Sequence, residues 1–262
     1  MTVLITGGSH GIGLELSRLF ARDGHRLLIV SKPLEELERA REQLLSAFPG
    51  LELHTLQLDL SLPDSPQQVY DWTRQNQWDV DLLVNNAGFG TYGFINDIDM
   101  DKDLSMIRLH VLTLYALTRL FLRDMLARNR GQIVNISSIS AYQPNPFLAT
   151  YGATKSFVLQ FSRAIDRELR DKGSKVRVMA VCPSPVKQTG FQSAAGMDKT
   201  NTFDNWMVVT PDIVARDIYK GIRAGRSLVI PGLGFGLLHK LIKRLPERWV
   251  VAMSKQYLRS RE

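Results

Sequence analysis

Three side chains in the middle of the chain have the residue types and spacing suited to acid–base chemistry. Tyr151 and Lys155 stand four positions apart, and Ser138 stands thirteen positions before Tyr151. If a helix begins near Gly152, Tyr151 and Lys155 share one face, and the lysine ammonium is expected to lower the tyrosine pKa by roughly 1–3 units. Such a phenol exchanges a proton with a reacting oxygen near neutral pH, and the serine hydroxyl can hold that oxygen by a hydrogen bond. The alternative is a solvated tyrosine–lysine pair, because the same spacing is common on helix surfaces.

A glycine-rich turn near the start of the chain indicates a second kind of site. It follows the apolar run from Thr2 to Thr6, precedes an amphipathic helical pattern, and reads Gly7-Gly8-Ser9-His10-Gly11-Ile12-Gly13. Gly7 permits a tight turn, and Gly11 lets the backbone approach a pyrophosphate held on the helix N-terminus. No Gly-Lys-Ser/Thr sequence follows, so the turn is not a P-loop. It predicts dinucleotide binding, with a purely structural turn as the alternative.

The second strand, predicted over 25–30, indicates which dinucleotide is bound. A cofactor without a 2′-phosphate usually meets an acidic residue about 20 residues past the glycines, but this chain has Ser31 and Lys32 there. Lys32 and His10 are suited to face a 2′-phosphate, and Ser31 to donate a hydrogen bond to it. The sequence therefore favours NADP over NAD, although Lys32 read alone is also compatible with an ordinary exposed lysine.

Strand-like and helical segments alternate along the chain. Helices are predicted over 34–48, 66–77, 104–129, 152–172 and 211–224, and strands over 51–58, 81–84, 175–181 and 227–230. This order predicts an α/β fold, a single Rossmann-like domain with a doubly wound parallel sheet. Ligands of such sheets bind at the carboxyl ends of the strands, where the glycine turn, Asp59, Asn85 to Gly88 and Ser138 are expected to lie.

Together these residues resemble the short-chain dehydrogenase/reductase superfamily, over nearly the whole chain. Thr6 to Gly13 is similar to its cofactor turn, Asn85-Asn86-Ala87-Gly88 to its sheet-stabilising motif, and Ser138, Tyr151 and Lys155 to its catalytic residues. The resemblance implies that NADPH delivers hydride to a carbonyl carbon while Tyr151 protonates the oxygen and Ser138 fixes it. Lys155 would lower the tyrosine pKa and bind the nicotinamide ribose. The implied cofactor-binding residues are Gly7, Ser9, His10, Gly11, Ile12, Gly13, Ser31, Lys32, Asp59, Leu60, Asn86, Ala87, Gly88, Tyr151, Lys155, Pro183, Val186 and Thr189.

The chain departs from the family pattern at two positions. His110 stands where the family usually has an asparagine that helps to hold a proton-relay water. Histidine also forms hydrogen bonds, so His110 is taken as a fourth catalytic residue, with a packed, non-catalytic histidine as the alternative. Ser184 stands where the family often has a glycine after proline, which changes the loop beside the nicotinamide.

Composition limits the other functions open to the chain. The 262 residues include one cysteine, Cys182, so no internal disulfide forms, and a reducing, cytoplasmic location is expected. The five histidines show no metal-ligand spacing, so no metal is expected. The net charge of +7 is spread along the chain without a nucleic-acid motif. No signal peptide is seen, and no apolar run reaches the ~20 residues that span a bilayer.

Two later segments are predicted to serve substrate binding and surface contacts. Residues 1–231 are predicted to form the catalytic domain, with a mobile lid at about 184–206, and 232–262 a basic amphipathic tail. The tail suggests peripheral membrane contact, or a helix packed on its own domain or on a partner subunit. Apolar residues on the two long helices favour a homodimer or homotetramer as in relatives, or simply core packing. The aromatic residues near the lid suggest an apolar substrate, or ordinary burial: Phe89, Tyr92, Phe94, Tyr142, Phe147, Phe191, Phe203 and Trp206.

These observations predict an NADP-dependent enzyme that reduces a carbonyl group of a ketone, an aldehyde or a 3-oxoacyl compound to an alcohol. Two alternatives remain at this stage. One is a dinucleotide-binding sensor or scaffold without catalysis. The other is a lipid or steroid ketone reductase at a membrane surface.

Overall fold

The protein is built on one seven-stranded sheet in which every neighbouring pair of strands is parallel. The computed structural model describes residues 1–198, 200–203, 208–232 and 245–258. The strand order is β3-β2-β1-β4-β5-β6-β7, as predicted for a doubly wound α/β domain. The strands are β1 (Thr2–Thr6), β2 (Arg26–Ser31), β3 (Leu53–Gln57), β4 (Val80–Asn85), β5 (Gln132–Ile136), β6 (Arg177–Val181) and β7 (Leu228–Val229).

Helices cover both faces of the sheet, because its central strands are apolar on both sides. They are α1 (Gly11–Arg22), α2 (Leu34–Ala47), α3 (Ser65–Gln75), α4 (Met100–Ile107), α5 (Leu114–Ala127), α6 (Ala149–Asp171), α7 (Phe191–Ala195), α8 (Pro211–Arg223) and α9 (Glu247–Leu258). On one face, Leu16 of α1, Leu44 of α2 and Ile218 of α8 pack on the sheet. On the other, Val69 of α3 and Phe121 of α5 do so.

The predicted helix over 104–129 begins earlier than expected and contains an irregular turn. Helical structure runs from Met100 to Ala127, and residues Arg108–Thr113 form a π-helical turn between α4 and α5. Such turns are frequent at functional sites. By length and composition alone this helix could cross a membrane, contrary to expectation, but 39% of its most apolar window is buried within the fold. A helix that packs inside a domain core passes the same test, so we draw no membrane assignment from it.

The segment predicted as an irregular lid contains two short regular elements. Residues Phe191–Ala195 form α7, and Asn201–Phe203 form a 3-10 turn. Elements this short cannot display a helical period in the sequence, which is why they were not predicted. Lys199 and residues 204–207, including the lid aromatic Trp206, lie outside the described residues, as do 233–244 and 259–262 of the predicted tail. The mobility of the lid and the domain limits stay predictions.

Candidate active site

The glycine turn joins β1 to α1 and leaves the N-terminus of α1 open to a ligand. Gly7 has φ +63°, and a Cβ at Gly13 would lie 2.2 Å from the Gly7 carbonyl oxygen, so neither position tolerates a side chain. No side chain among the described residues caps α1, so the N–H groups of its first turn remain directed at the space beyond the helix end. Asn86 fixes the turn, because its amide donates to the carbonyl oxygens of Thr6 at 3.0 Å and Gly7 at 2.9 Å. This cradle fits a pyrophosphate.

The residues predicted to meet a 2′-phosphate lie close together beyond the turn. The hydroxyl groups of Ser9 and Ser31 form a hydrogen bond at 2.8 Å, and Ser9 Oγ lies 3.2 Å from His10 Nδ1. Lys32 is the neighbouring cation, and its side chain is 71% exposed. The site therefore offers two buried hydroxyl groups and an imidazole in contact with one another, and the exposed Lys32 directly follows Ser31 in the chain.

Two acidic residues that the sequence reasoning did not connect with this cluster lie against it. Lys32 Nζ is 2.7 Å from Asp59 Oδ2, and His10 Nδ1 is 3.0 Å from Glu36 Oε2. Partial burial would raise the pKa of Asp59, but hydrogen bonds from Lys32 and Ser61 outweigh it and hold the pKa below its usual value. The positive charge available to a phosphate is therefore partly neutralised by the protein itself.

The carboxyl ends of the central strands are tied together by side-chain amides. Asn85 donates to Asn135 Oδ1 at 2.8 Å, and Asn135 donates to Ser162 Oγ at 2.9 Å. These contacts join β4, β5 and α6.

Two other predicted cofactor residues hold the backbone near the strand ends. Leu60 is buried, and its carbonyl accepts from Thr113 Oγ1 at 2.7 Å. Ala87 donates its N–H to Thr6 Oγ1 at 3.0 Å.

Ser138, Tyr151 and Lys155 line the same cavity of about 350 Å³ as Ile12, Asn86 and Gly88 of the predicted cofactor motifs. Ser138 begins the short turn Ile139–Tyr142 after β5, while Tyr151 and Lys155 belong to the first turns of α6. The structure therefore brings together the three side chains that the sequence selected.

Lys155 and Tyr151 share one face of α6, as predicted, but the pKa of Tyr151 differs from the prediction. Its Nζ donates to the Ile136 carbonyl oxygen at 3.0 Å and lies 5.6 Å from the centre of the Tyr151 ring. Removal from water raises the pKa of Tyr151 to about 12, although a hydrogen bond with Ser138 acts in the opposite direction. Burial also lowers the pKa of Lys155 to about 8. The prediction that Lys155 lowers the tyrosine pKa is wrong for this arrangement, because desolvation dominates. Tyr151 holds its proton at neutral pH, which suits donation to a carbonyl oxygen.

His110 lies in the π-helical turn, buried behind Tyr151. Its Nδ1 is 3.0 Å from Thr154 Oγ1, and Thr154 Oγ1 donates to the Tyr151 carbonyl oxygen at 2.8 Å. Its Nε2 lies 2.7 Å from the position of a Cβ at Gly88 and has no hydrogen-bond partner among the described residues. Burial, with a contribution from the charge of Lys155, holds the pKa of His110 well below its usual value. His110 is therefore a neutral residue that contacts the backbone of the catalytic helix through Thr154.

The loop after β6 closes the cavity on the predicted nicotinamide side. Pro183, Ser184 and Val186 line it, and Thr189 donates to the Val186 carbonyl oxygen at 3.1 Å. Thr189 also approaches the turn, since its Cγ2 lies 3.0 Å from the position of a Cβ at Gly11. The Ser184 hydroxyl is buried without a hydrogen-bond partner in the described part of the chain. The residues here fit a polar group such as a carboxamide.

The outer part of the cavity is apolar. Phe191 and Phe203 line it, as predicted for lid aromatics, whereas Phe94 is 60% exposed at the surface. The remaining walls are formed by Leu148, Met197, Val250, Met253, Tyr257 and Leu258. The last four belong to α9, which lies in the predicted tail and not among the predicted site residues. The repeat of Val250, Tyr257 and Leu258 along one face of α9 was the signal that could have revealed it.

Four other lid aromatics, Phe89, Tyr92, Tyr142 and Phe147, do not line the cavity themselves, although Tyr92 and Phe147 pack behind its outer wall. The rings of Tyr92 and Phe147 are 5.9 Å apart, and the Phe89 ring lies 6.2 Å from that of His110. Tyr142 packs beside the buried cluster that contains Cys182. For these residues ordinary burial, the alternative left open by the sequence, describes the structure better than contact with substrate.

Comparison with known proteins gives consistent results. A family model described as short chain dehydrogenase matches residues 1–200. The very-long-chain 3-oxoacyl-CoA reductase of Rattus norvegicus is 33% identical over 187 residues, which are 69% of this chain and 57% of that protein. This chain thus spans little more than half the length of that relative.

Two further proteins match over most of their length. The NADP-dependent 3-hydroxy acid dehydrogenase YdfG of Salmonella typhi is 32% identical over 226 residues, covering 84% of this chain and 88% of that protein. The structure of a short-chain dehydrogenase from Sphingobium yanoikuyae in complex with NADPH has 28% identity and a TM-score of 0.80. The match covers 94% of this chain and 96% of that one.

Proposed function

The chain belongs to the short-chain dehydrogenase/reductase superfamily and is an oxidoreductase of a family that binds NAD(P), and on that premise we propose that it is an NADP-dependent reductase that converts an apolar carbonyl compound to an alcohol. One observation carries the proposal: Ser138, Tyr151 and Lys155 line the same cavity as the residues of the glycine turn and of the motif after β4. A protein that only binds a dinucleotide has no need of a protonated phenol at that place.

Each catalytic side chain has a distinct role in the proposed reaction. The bound dinucleotide supplies the hydride. Tyr151, whose pKa is raised to about 12 by burial, keeps its proton until it donates it to the carbonyl oxygen of the substrate. Ser138 forms a hydrogen bond with that oxygen and orients it. Lys155 would hold the ribose of the cofactor, and its hydrogen bond to the Ile136 carbonyl fixes the direction of its side chain.

The preference for NADP is supported by the surface beyond the glycine turn. Ser9 contacts both His10 and Ser31 there, Lys32 follows Ser31 in the chain, and no acidic residue follows β2 directly. We expect these four residues to hold the 2′-phosphate, with Lys32 exchanging part of its contact with Asp59 for the phosphate. The NADPH in the Sphingobium yanoikuyae structure and the NADP in the name of the Salmonella typhi protein agree with this preference.

The proposed substrate is a ketone or a 3-oxoacyl compound with an apolar body. Polar groups lie near Ser138, where Ser140, Gln143 and Asn145 line the cavity, and apolar side chains form the walls farther out. A carbonyl group at one end and a hydrocarbon body at the other would match this distribution. The names of the Rattus norvegicus and Salmonella typhi proteins, a 3-oxoacyl-CoA reductase and a 3-hydroxy acid dehydrogenase, support the same substrate class.

The test follows the loss of NADPH absorbance over a panel of apolar ketones, aldehydes and 3-oxoacyl thioesters. Tyr151→Phe should lose more than about a hundredfold in kcat, because it removes the general acid. Tyr219→Phe on α8 is the matched control, since it removes a tyrosine hydroxyl outside the cavity, and it should keep the wild-type rate. If wild type binds NADPH but turns over no carbonyl compound, the chain is a dinucleotide-binding sensor or scaffold.

We also propose that two copies of the chain associate through α5 and α6 and the turn before α5. Leu112, Tyr115 and Phe157 are 58%, 41% and 36% exposed, and the rings of Phe157 and Phe161 stack at 5.3 Å. Large apolar side chains left exposed on adjacent helices favour a subunit contact. Light scattering should give a dimer or tetramer for wild type and a smaller particle for Leu112→Ser/Phe157→Ser.

A further inference from the structure

The C-terminal helix α9 has an inner face that forms part of the cavity. Val250 and Tyr257 line the cavity, and Leu258 is only 4% exposed. Hydrogen bonds hold this face in place: Tyr92 Oη donates to the Leu258 carbonyl oxygen at 2.6 Å, and Tyr257 Oη donates to that of Thr202 at 2.8 Å. The helix is therefore a fixed part of the cavity wall.

The outer face of α9 combines exposed apolar and basic side chains. Trp249 and Met253, one helical turn apart, are 56% and 48% exposed, and Leu245 just before the helix is 40% exposed. Arg248 and Lys255 are exposed two turns apart beside this stripe, and neither forms an ion pair with any residue that the structure describes. The adjoining sequence adds more cations, Lys240, Lys243, Arg244, Arg259 and Arg261.

We propose that the outer face of α9 docks on an anionic lipid surface. A tryptophan and a methionine inserted at the headgroup level, with lysine and arginine at the edge, are the arrangement that binds such a surface. The cations match the negative charge of phosphatidylserine or phosphatidylglycerol headgroups. One partner, an anionic membrane, therefore matches both features of this face, its apolar stripe and its cations that form no ion pair within the described part of the chain.

The size of the face argues against a second copy of the chain as the partner. The helix has twelve residues, so it is about 18 Å long and about 10 Å wide. Such a strip is several times smaller than the ~800 Å² that each protein buries in a standard stable interface. Membrane docking has no such requirement, because a few inserted side chains and a few charges suffice.

The docking surface adjoins the apolar end of the cavity. Met253 is exposed on the outer face and also lines the cavity. Two further exposed apolar residues, Phe94 at 60% and Ile95 at 50%, follow shortly after Tyr92, whose hydroxyl contacts the end of α9. A carbonyl compound dissolved in the lipid would thus reach the cavity directly. This consequence rests on the proposed reductase function, whereas the docking itself does not.

The experiment is flotation of the full chain with phosphatidylcholine vesicles that contain about 30% phosphatidylglycerol, compared with pure phosphatidylcholine. Wild type should float with the anionic vesicles and detach at high salt. Arg248→Glu/Lys255→Glu should lower the bound fraction at least about tenfold, and Trp249→Ser should lower it severalfold. The controls are Lys220→Glu/Arg223→Glu on α8, which reverses the same two charges at another exposed site, and Leu34→Ser on α2, which removes another exposed apolar side chain. Both should float like wild type.

Three outcomes would overturn the proposal. These are wild type that stays with the unbound fraction, α9 variants that float as well as wild type, and an α9 variant whose only change is a smaller oligomer in light scattering. The last result would assign the face to a second copy. Reduction of a water-soluble ketone without vesicles measures the enzyme separately, so failure of the docking and failure of the reductase function are distinguishable.

Discussion

The Nδ1 atom of His110 lies 3.0 Å from the hydroxyl oxygen of Thr154, and this contact determines the protonation of the imidazole. The Thr154 hydroxyl donates its only proton to the Tyr151 carbonyl oxygen, so it must accept from Nδ1–H. Since the pKa of His110 is held well below its usual value by burial, the ring is neutral and its Nε2, beside Gly88, is a bare acceptor. His110 thus acts through Thr154 on the helix turn that carries Tyr151.

We predict that His110→Asn keeps kcat within about tenfold of wild type, because an asparagine amide can also donate to Thr154. The variant should also be less sensitive to acid. The folded state binds the His110 proton more weakly than the unfolded chain does, so the free energy of unfolding of wild type falls as pH drops below about 6.5. Urea unfolding at pH 7.5 and 5 should show a smaller loss for His110→Asn.

An equal loss for wild type and His110→Asn would show that His110 contributes nothing to the acid response. A kcat for His110→Asn reduced more than about a hundredfold would assign it a direct catalytic role.

A second prediction concerns Lys155, whose pKa is lowered to about 8 by burial. As pH rises through about 8, the ammonium loses its proton and its charge can no longer act on the cofactor. The reduction rate should therefore fall with an apparent pKa near 8. Tyr151 cannot cause this fall, because its pKa is raised to about 12.

Initial rates of NADPH oxidation against pH measure this effect, with Lys155→Arg as the comparison. Arginine keeps its charge throughout the range, so whatever activity remains in that variant should show no decline near pH 8. A wild-type rate that stays level well beyond pH 8 would contradict the assignment.

The sequence was sufficient to predict the architecture and the residues that meet at the carboxyl ends of the strands. Ser138, Tyr151 and Lys155 could be identified because a spacing of four positions places two side chains on one helical face, and because strand ends of a parallel sheet converge. The direction of the Tyr151 pKa could not be predicted, since it depends on how much water the surrounding side chains exclude. The pairing of Lys32 with Asp59 also depends on folding, because it requires the parallel alignment of β2 with β3.

That pairing leads to a prediction on cofactor choice. Lys32→Ala should lower the ratio of kcat/KM for NADPH to that for NADH by about tenfold, because one charge contact with the 2′-phosphate is lost. Asp59→Asn should raise the same ratio, because it frees Lys32 from its carboxylate partner. Steady-state rates with both cofactors give the ratio directly. The control Lys172→Ala removes an exposed lysine after α6 and should leave the NADPH/NADH ratio unchanged. If the ratio is also unchanged in Lys32→Ala, Lys32 is not part of the phosphate site.

The last prediction concerns Asp103, a carboxylate that is not among the residues predicted from the sequence. It is 8% exposed and accepts hydrogen bonds from Thr91 at 2.5 Å and from Thr150, the neighbour of Tyr151, at 2.6 Å. It therefore joins the segment after β4 to the first turn of α6. An asparagine at this position offers one acceptor instead of two, so one threonine hydroxyl loses its partner. Asp103→Asn should lower the free energy of unfolding by about 1–3 kcal/mol and reduce kcat more than it changes KM, because the direction of Tyr151 becomes less fixed.

Urea unfolding and steady-state kinetics test both effects, with Asp101→Asn as the control on the same helix. Asp101 is exposed, so its change removes the same charge without removing a buried acceptor, and both measurements should match wild type. The comparison separates a positioning role from simple destabilisation, because a merely less stable protein keeps its kcat per folded molecule. If Asp103→Asn keeps the kcat of Asp101→Asn at a temperature where both are folded, the carboxylate stabilises the fold but does not orient the catalytic tyrosine.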